Sequence, residues 1–271
     1  MTGTGSPIPD PERSGPSQLV IAGERKFLID CGRGCLMRLA AVGAAPSLIE
    51  KLLITHLHSD HITDVNDLIT TNWITGFPPT PLSIAGPEGT KSFIDDTLSM
   101  LAKDIRYRVE HHDDLNSPPA VEVSEVSAGV IFEDDEIRIT AAPTEHKPAH
   151  PSVGYKFETS EGSLVLAGDT VPCDALDELC IGADVYVQTV VRDDLIKQMP
   201  IPRLLDVLSY HSTVADAGNT ASKAGVKKLV LNHCVPAPGN SSEINDWIEI
   251  AAKYFDGEII LPSDLQVIHV G

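Results

Sequence analysis

Three histidines and one aspartate fall within the six residues His56 to His61, in the stretch THLHSDH. His56 and His58 are two apart, so on an extended segment they face the same side. Asp60 and His61 follow after a turn and can point at a second centre. Two ligand pairs from one loop would build two metal sites side by side. Such a centre clamps an oxygen-rich substrate and supplies hydroxide near neutral pH. The bland alternative is four polar side chains on a solvated loop, and the flanking residues argue against it. KLLI (Lys51 to Ile54) before the cluster is apolar and β-prone, and ITDVNDLITTNWITG after it carries apolar side chains at roughly helical spacing. The cluster therefore belongs in a strand-to-helix loop, where side chains can converge.

Each half-built site needs more ligands, and the chain offers them at strand ends. EIRITA is followed by APTEHKPAHPSVGY, with His146 and His150; LVLAGDT ends on Asp169 and LVLNHCVP on His233. One histidine after a strand is ordinarily a satisfied loop residue, but candidates at three strand ends beside the cluster are hard to read that way. His111 and His112, in the charged stretch EHHDDLNSPP, read as solvated. The five cysteines are odd in number and form no CxxC pair, so buried or free thiols in a reducing compartment are the simplest reading. Cys31 and Cys35 could share a metal on a helix, but separate thiols are the simpler reading.

The elements that must position these residues alternate along the chain. QLVIAG and KFLIDCG read as a hairpin turning at Gly23, GCLMRLAAVGA as a helix, KLLIT as a strand and HITDVNDLITTNWITG as one helix. PLSIAG is a strand, and Thr90 is placed to cap KSFIDDTLSMLAKDI. VEVSEV, GVIFEDD and EIRITAAP suggest a meander; SVGYKFET and GSLVLAGD suggest a hairpin. Beyond them, DVYVQTVV and KKLVLNH alternate with helices RLLDVLSY, TVADAGNTASKAG and EINDWIEIAAKYF, and GEIILP and LQVIHV read as closing strands. No linker or internal repeat interrupts the pattern. It predicts an α/β protein of mixed sheets covered by helices, with residues 1–271 as one domain.

The net charge is −19, from 20 basic and 39 acidic residues, which is a poor start for gripping a phosphate backbone. No stretch approaches membrane-span length, and the N-terminus lacks the pattern of a secretory signal, so a cytoplasmic location is expected. GTGSP near the start completes no phosphate-binding GxGxxG and reads as a tight turn.

THLHSDH, GDT, the late strand-terminal His233 and FLIDCG together resemble the metallo-β-lactamase-fold hydrolases. Within that superfamily the chain is most similar to the ribonuclease Z-like branch, through GTGSP, EHKPAHPSVGYKFE and YHSTVADAGNTASKAGVKKLVLNHCVP. The resemblance implies a four-layer αβ/βα sandwich. It also implies that His56, His58 and His146 hold one metal, that Asp60, His61 and His233 hold the second, and that Asp169 bridges. Zinc suits these ligands best, with manganese or iron as alternatives. Asp30 matches a carboxylate that orients the metal loop. His211 matches a histidine facing the substrate, which would stabilise charge or protonate a leaving oxygen, and Asp60 would accept or steer a proton. The plainer reading of His211 is a helix-capping or surface histidine before Ser212, and His150 is a substrate-side or, more simply, a surface residue. Members of the branch are often homodimers, and the helix Ile62 to Gly76 offers a packing face.

The sequence also departs from the branch. Members that process transfer RNA carry a long arm between the GY strand and GDT, and here KFETSEGSLVLAGDT leaves room only for a hairpin. Where they place a His-Glu pair, this chain has Gln188 and Thr189, neither of which titrates. With the acidic charge, these losses favour a small phosphodiester or sulfate ester as substrate and make a nucleic acid partner unlikely. The alternatives are a true transfer-RNA 3′-processing endonuclease, or a hydrolase of lactones, organophosphates or β-lactams, whose pocket Trp73 and Phe77 would line if they were not packed in the core. A scaffold that kept the fold and lost its metals is the non-enzymatic reading.

Overall fold

Short apolar runs bounded by glycine, proline and acidic turns form twelve strands in two sheets in the computed structural model, which describes residues 1–271. The first sheet runs β1 (Gln18–Ala22), β2 (Arg25–Ile29), β3 (Lys51–Leu53), β4 (Leu82–Gly86) and β5 (Val121–Glu125), in that spatial order. The second contains β6 (Gly129–Glu133), β7 (Ile137–Thr144), β8 (Ser152–Thr159), β9 (Gly162–Leu166), β10 (Val185–Val191), β11 (Lys228–Val235) and β12 (Glu258–Ile260), again in sequential order across the sheet. Both sheets are mixed. β1 and β2 pair antiparallel and the rest of the first sheet is parallel, whereas β6 to β9 are antiparallel and β9 to β12 parallel.

The period-two alternation of each strand explains why these runs are apolar throughout. On β2, Phe27 and Ile29 face the opposite sheet and Leu28 faces helices; on β10, Val185 and Val187 face inward and Tyr186 outward; on β11, Val230 faces inward, Leu229 and Leu231 outward. Three packed layers of side chains result, one between the sheets and one under each helical coat. The nine helices are α1 (Cys35–Ala41), α2 (Ser59–Ile62), α3 (Val65–Thr75), α4 (Thr90–His111), α5 (Asp174–Cys180), α6 (Asp193–Ile196), α7 (Pro202–Asp206), α8 (Val214–Ala224) and α9 (Ser241–Ala251). Residues of α1, α3 and α4 cover the first sheet, and residues of α5, α8 and α9 cover the second. This is the four-layer α/β sandwich of two mixed sheets. None of the helices is long and apolar enough to cross a membrane.

Several local expectations change. The helix expected from His61 to Gly76 is two, because the amides of Cys31 and Asp64 pair across to the carbonyls of His61 and Cys31 (2.7 and 2.9 Å), tying the metal-loop segment to the end of β2. The apolar face of α3 (Val65, Leu68, Ile69, Trp73) is buried in the core and is not left as a packing face for a partner. Thr90 opens α4 but does not cap it: Gly89 does, at φ 98°, and the Glu125 carboxylate accepts from the amides of Gly89 and Lys91. The helix also continues through Glu110 and His111, where a loop was expected. VEVSEV, GVIFEDD and EIRITAAP do not form a meander, since β5 belongs to the first sheet and β6 starts the second. LQVIHV is not a strand; its Ile268 and Val270 pack against the inter-sheet core, and Leu265 N donates to Met1 O (2.7 Å). The expected turn at GTGSP instead lies along residues 14–17, through a Gly3–Ser17 bridge and Gly5 N to Ser14 O (2.8 Å).

Candidate metal centre

The seven candidate ligands are scattered over 178 positions of sequence, and the two sheets bring them together at one edge of the sandwich. The loop after β3 carries His56 and His58, and α2 carries Asp60 and His61. His146 follows β7, Asp169 follows β9, and His233 stands near the end of β11. Two contacts sew the sheets together here: Tyr155 Oη of β8 donates to Ile54 O (2.7 Å), and Val153 N donates to Thr55 O (2.9 Å). Close backbone approach is built in. A Cβ on Gly32 would lie 2.2 Å from Asp60 O, and Gly168, at φ +65°, has Thr55 where a Cβ would point (2.8 Å). Asp30 and His233 hold left-handed backbones without being glycine (φ 55° and 50°), a strain that well-tied surroundings must sustain.

The side chains fall in two groups, His56, His58, His146 with Asp169, and Asp60, His61 with His233; within each, the candidate ligand atoms lie within 4.8 Å of one another. Asp169 reaches both: its Oδ2 is 3.8 Å from His56 Nε2, 3.7 Å from His146 Nε2, 3.5 Å from His61 Nε2 and 3.7 Å from His233 Nε2.

Hydrogen bonds decide which nitrogen each ring turns inward. Asp30 accepts from Thr55 N (2.8 Å), from Thr55 Oγ1 (2.9 Å) and from His61 Nδ1 (2.7 Å). With its hydroxyl proton committed to Asp30, Thr55 Oγ1 accepts from His56 Nδ1 at 3.0 Å. One buried carboxylate thus sets two imidazoles, leaving Nε2 of each for the centre. His146 Nδ1 donates to Tyr210 O (2.8 Å), which frees its Nε2 likewise.

Several buried polar atoms of the cluster have no partner. His61 Nε2 and Asp169 Oδ1 are buried without a partner, and so is His233 Nδ1. His58 Nδ1 lies 3.1 Å from His56 Nε2 and 3.2 Å from His146 Nε2. Two of these nitrogens present lone pairs, and all three turn to one point, as ligands of a single cation would. Nitrogens held about 2.0–2.1 Å from a tetrahedral ion stand roughly 3.3 Å apart, close to the spacing found. The residues fit divalent metal.

Charge balance follows. Burial pushes the His56 and His58 rings below their ordinary range and takes His146 down to about 4, so these three are neutral near pH 7. Burial opposes charge on His61 and His233 as well, but there Asp169, with Asp30 for His61 and Asp60 for His233, outweighs it and raises both. For Asp60 and Asp169 burial favours the neutral acid; the His233 hydrogen bond for Asp60, and His233 and His61 for Asp169, overcome it and hold both ionised.

His211 is neither a surface residue nor a helix cap. It is buried, with Nδ1 3.1 Å from Val207 O and Nε2 3.2 Å from Asp169 Oδ2. Both ring nitrogens face oxygens. His150, His111 and His112 are exposed and apart from the cluster, and Cys31 and Cys35 are buried in the core. Trp73 is core, but Phe77 is 81% exposed, against the expectation that both pack inside. Gln188, counted above among the losses, is a brace: its Nε2 donates to Thr189 O (2.8 Å) and Gly168 O (3.4 Å), under the turn that presents Asp169. Thr55 and Tyr210 were missed. Thr55 adjoins the histidine run and could have been found; Tyr210 lies 64 residues from the ring it orients.

Comparison with known proteins places this geometry. A beta-lactamase superfamily domain matches residues 25–234. A ribonuclease Z of Mycobacterium bovis (strain BCG / Pasteur 1173P2) is 48% identical over 272 residues, covering 100% of this chain and 97% of its own. One from Mycolicibacterium gilvum is 49% identical, with 100% and 95% covered. Among solved structures, the short form of human tRNase Z superposes with a TM-score of 0.73 at 22% identity, covering 100% and 98% of the two chains. A metallo-β-lactamase-fold protein from Bacillus subtilis gives 0.74 at 17% identity, covering 97% and 94%.

These relatives overturn the expectation of a small ester substrate with nucleic acid unlikely, because proteins this similar along their whole length are ribonucleases by name. The grounds for that expectation also weaken. A relative matched over 97% of its length has no room for a long arm either, so armlessness does not separate the two. Net charge sums the whole surface, whereas the scissile phosphate is met at the site, where six imidazoles gather. The chain belongs to the metallo-β-lactamase-fold superfamily, in its ribonuclease Z-like branch, and is a metal-dependent hydrolase of ester bonds.

Proposed function

We propose that this protein is a ribonuclease Z-type endonuclease that cuts precursor transfer RNA at its 3′ side, with zinc at two sites. The observation that carries the reading is full-length identity of 48% to ribonuclease Z relatives, joined to a cluster of seven ligands drawn from both sheets. Because the cluster needs both sheets, we read residues 1–271 as one working unit. The five free thiols accord with a reducing cytoplasm.

His56, His58 and His146 would hold one ion, Asp60, His61 and His233 the other, with Asp169 between them. When bound, two divalent ions supply Lewis acidity and make water nucleophilic near pH 7. The protein does the rest. Asp30 keeps His56 and His61 in the required tautomers. Asp60, held ionised, has Oδ2 3.1 Å from His233 Nε2 and can steer the proton of the attacking water. His211, with Nδ1 3.1 Å from Val207 O and Nε2 3.2 Å from Asp169 Oδ2, stands at the cluster's edge as the candidate proton donor to the leaving oxygen. The substrate reading is tested by kcat/KM on a precursor transfer RNA with a 3′ trailer against that on 4-nitrophenyl sulfate. A preference for the RNA of several orders of magnitude is expected; a preference for the sulfate ester rejects the reading.

Metal uptake has a predictable pH dependence. His61 and His233 carry raised pKa values in the metal-free protein, so they hold protons near neutrality that an ion must displace. His56, His58 and His146 are already neutral. Affinity at the His61–His233 site is therefore expected to rise with pH through and above neutrality, and affinity at the other site to change little. Calorimetric titration in buffers of different ionisation enthalpy reads this directly: proton release confined to the second equivalent is expected, and equal release in both steps refutes it.

A further inference from the structure

Exposure shows where the site opens. His56 and His146 are 0% exposed, His61 and His233 1%, Asp169 3% and Asp60 6%; of the seven, only His58 is partly open to solvent. Tyr210 is a half-buried side chain against the cluster. Its ring meets His146 edge-on (centroids 5.4 Å apart, 74°) and tilts against His211 (4.8 Å, 47°), while its carbonyl accepts a hydrogen bond from His146 Nδ1. Two imidazoles fix this ring in place, and it is not swallowed by the core.

A fixed, partly open aromatic beside a phosphodiester site offers a π-face at little entropic cost, and single-stranded nucleic acids are commonly held by bases stacked on such rings. We propose that Tyr210 stacks on the nucleobase flanking the scissile phosphate and so sets the preference of this site for nucleotide diesters over simple alkyl diesters. The proposal deepens the ribonuclease reading and rests on it for the choice of ligand. Tyr210 is a specificity residue here, acting on the part of the substrate that does not react.

The test uses two diesters with one leaving group, thymidine 5′-(4-nitrophenyl) phosphate and methyl 4-nitrophenyl phosphate, hydrolysed by the metal-loaded full chain. The readout is the ratio of their kcat/KM values, which does not depend on how much of a variant is active or fully metallated. Tyr210→Leu is expected to lower the ratio about tenfold, chiefly through KM of the nucleoside ester, and Tyr210→Phe to retain it. A wild-type enzyme that does not prefer the nucleoside ester overturns the proposal. So does an unchanged ratio in Tyr210→Leu, which would leave Tyr210 as packing for His146, or an equal loss in Tyr210→Phe, which would make the hydroxyl responsible. If the ratio falls as expected while precursor transfer RNA is not cut, stacking stands and the transfer-RNA reading falls.

Discussion

Asp169→Ala is expected to lower kcat/KM on bis(4-nitrophenyl) phosphate by about three orders of magnitude, the scale of several kcal/mol that an ion-held site contributes to a charged transition state. The carboxylate is the point of convergence of the whole cluster: its Oδ2 lies between 3.2 and 3.8 Å from nitrogens of His56, His61, His146, His211 and His233. Removing it takes away the carboxylate that reaches both candidate metal groups and the partner of His211 Nε2. Elemental analysis of the variant is expected to find less than the wild-type metal content. Asp169→Asn keeps the shape and loses the charge, so it should resemble the alanine variant in activity; a near-normal rate in either would contradict the bridging role.

The second large effect belongs to a residue outside the seven candidate ligands. Asp30→Ala would leave Thr55 N, Thr55 Oγ1 and His61 Nδ1 without their acceptor, all three in the buried interior. Breaking a buried charged network from one side costs about 3–5 kcal/mol, and loss of a group that orients metal-binding histidines typically weakens metal binding about 10–100-fold. Urea unfolding of the chelator-treated protein should show the first, and competition with a chromophoric chelator the second. Asp30→Asn tolerates the left-handed backbone at this position and keeps one carbonyl oxygen, so its loss is expected to be smaller on both counts. Metal affinity equal to wild type in Asp30→Ala would show that the tautomers of His56 and His61 are set by something else.

The cluster was legible in the sequence because three histidines and an aspartate between an apolar strand and a helix have little to do there except hold metal, and because His146, Asp169 and His233 also follow or end strand-like runs. What periodicity could not reveal was pairing across distance. The change of sheet between β5 and β6 happens over three residues with no composition signal, and β5 pairs with β4 across the whole of α4. The break between α2 and α3 comes from Cys31, which competes for the helix's backbone groups from outside it. Gln188 and Tyr210 act through carbonyls far away in the chain or on rings far away, and residue type alone says nothing of that. Whole-chain charge misled in another way: it averages over a surface, while the site concentrates histidines against two carboxylates.

Metal dependence and RNA cleavage meet in one experiment, a zinc titration of chelator-stripped protein that follows cleavage of a precursor transfer RNA carrying a 3′ trailer. No cleavage is expected without metal, and a single cut at the 3′ side is expected to appear as the second zinc equivalent binds. Cleavage by the stripped protein, or two bound equivalents with the RNA left intact, would contradict the assignment of this chain as a binuclear ribonuclease.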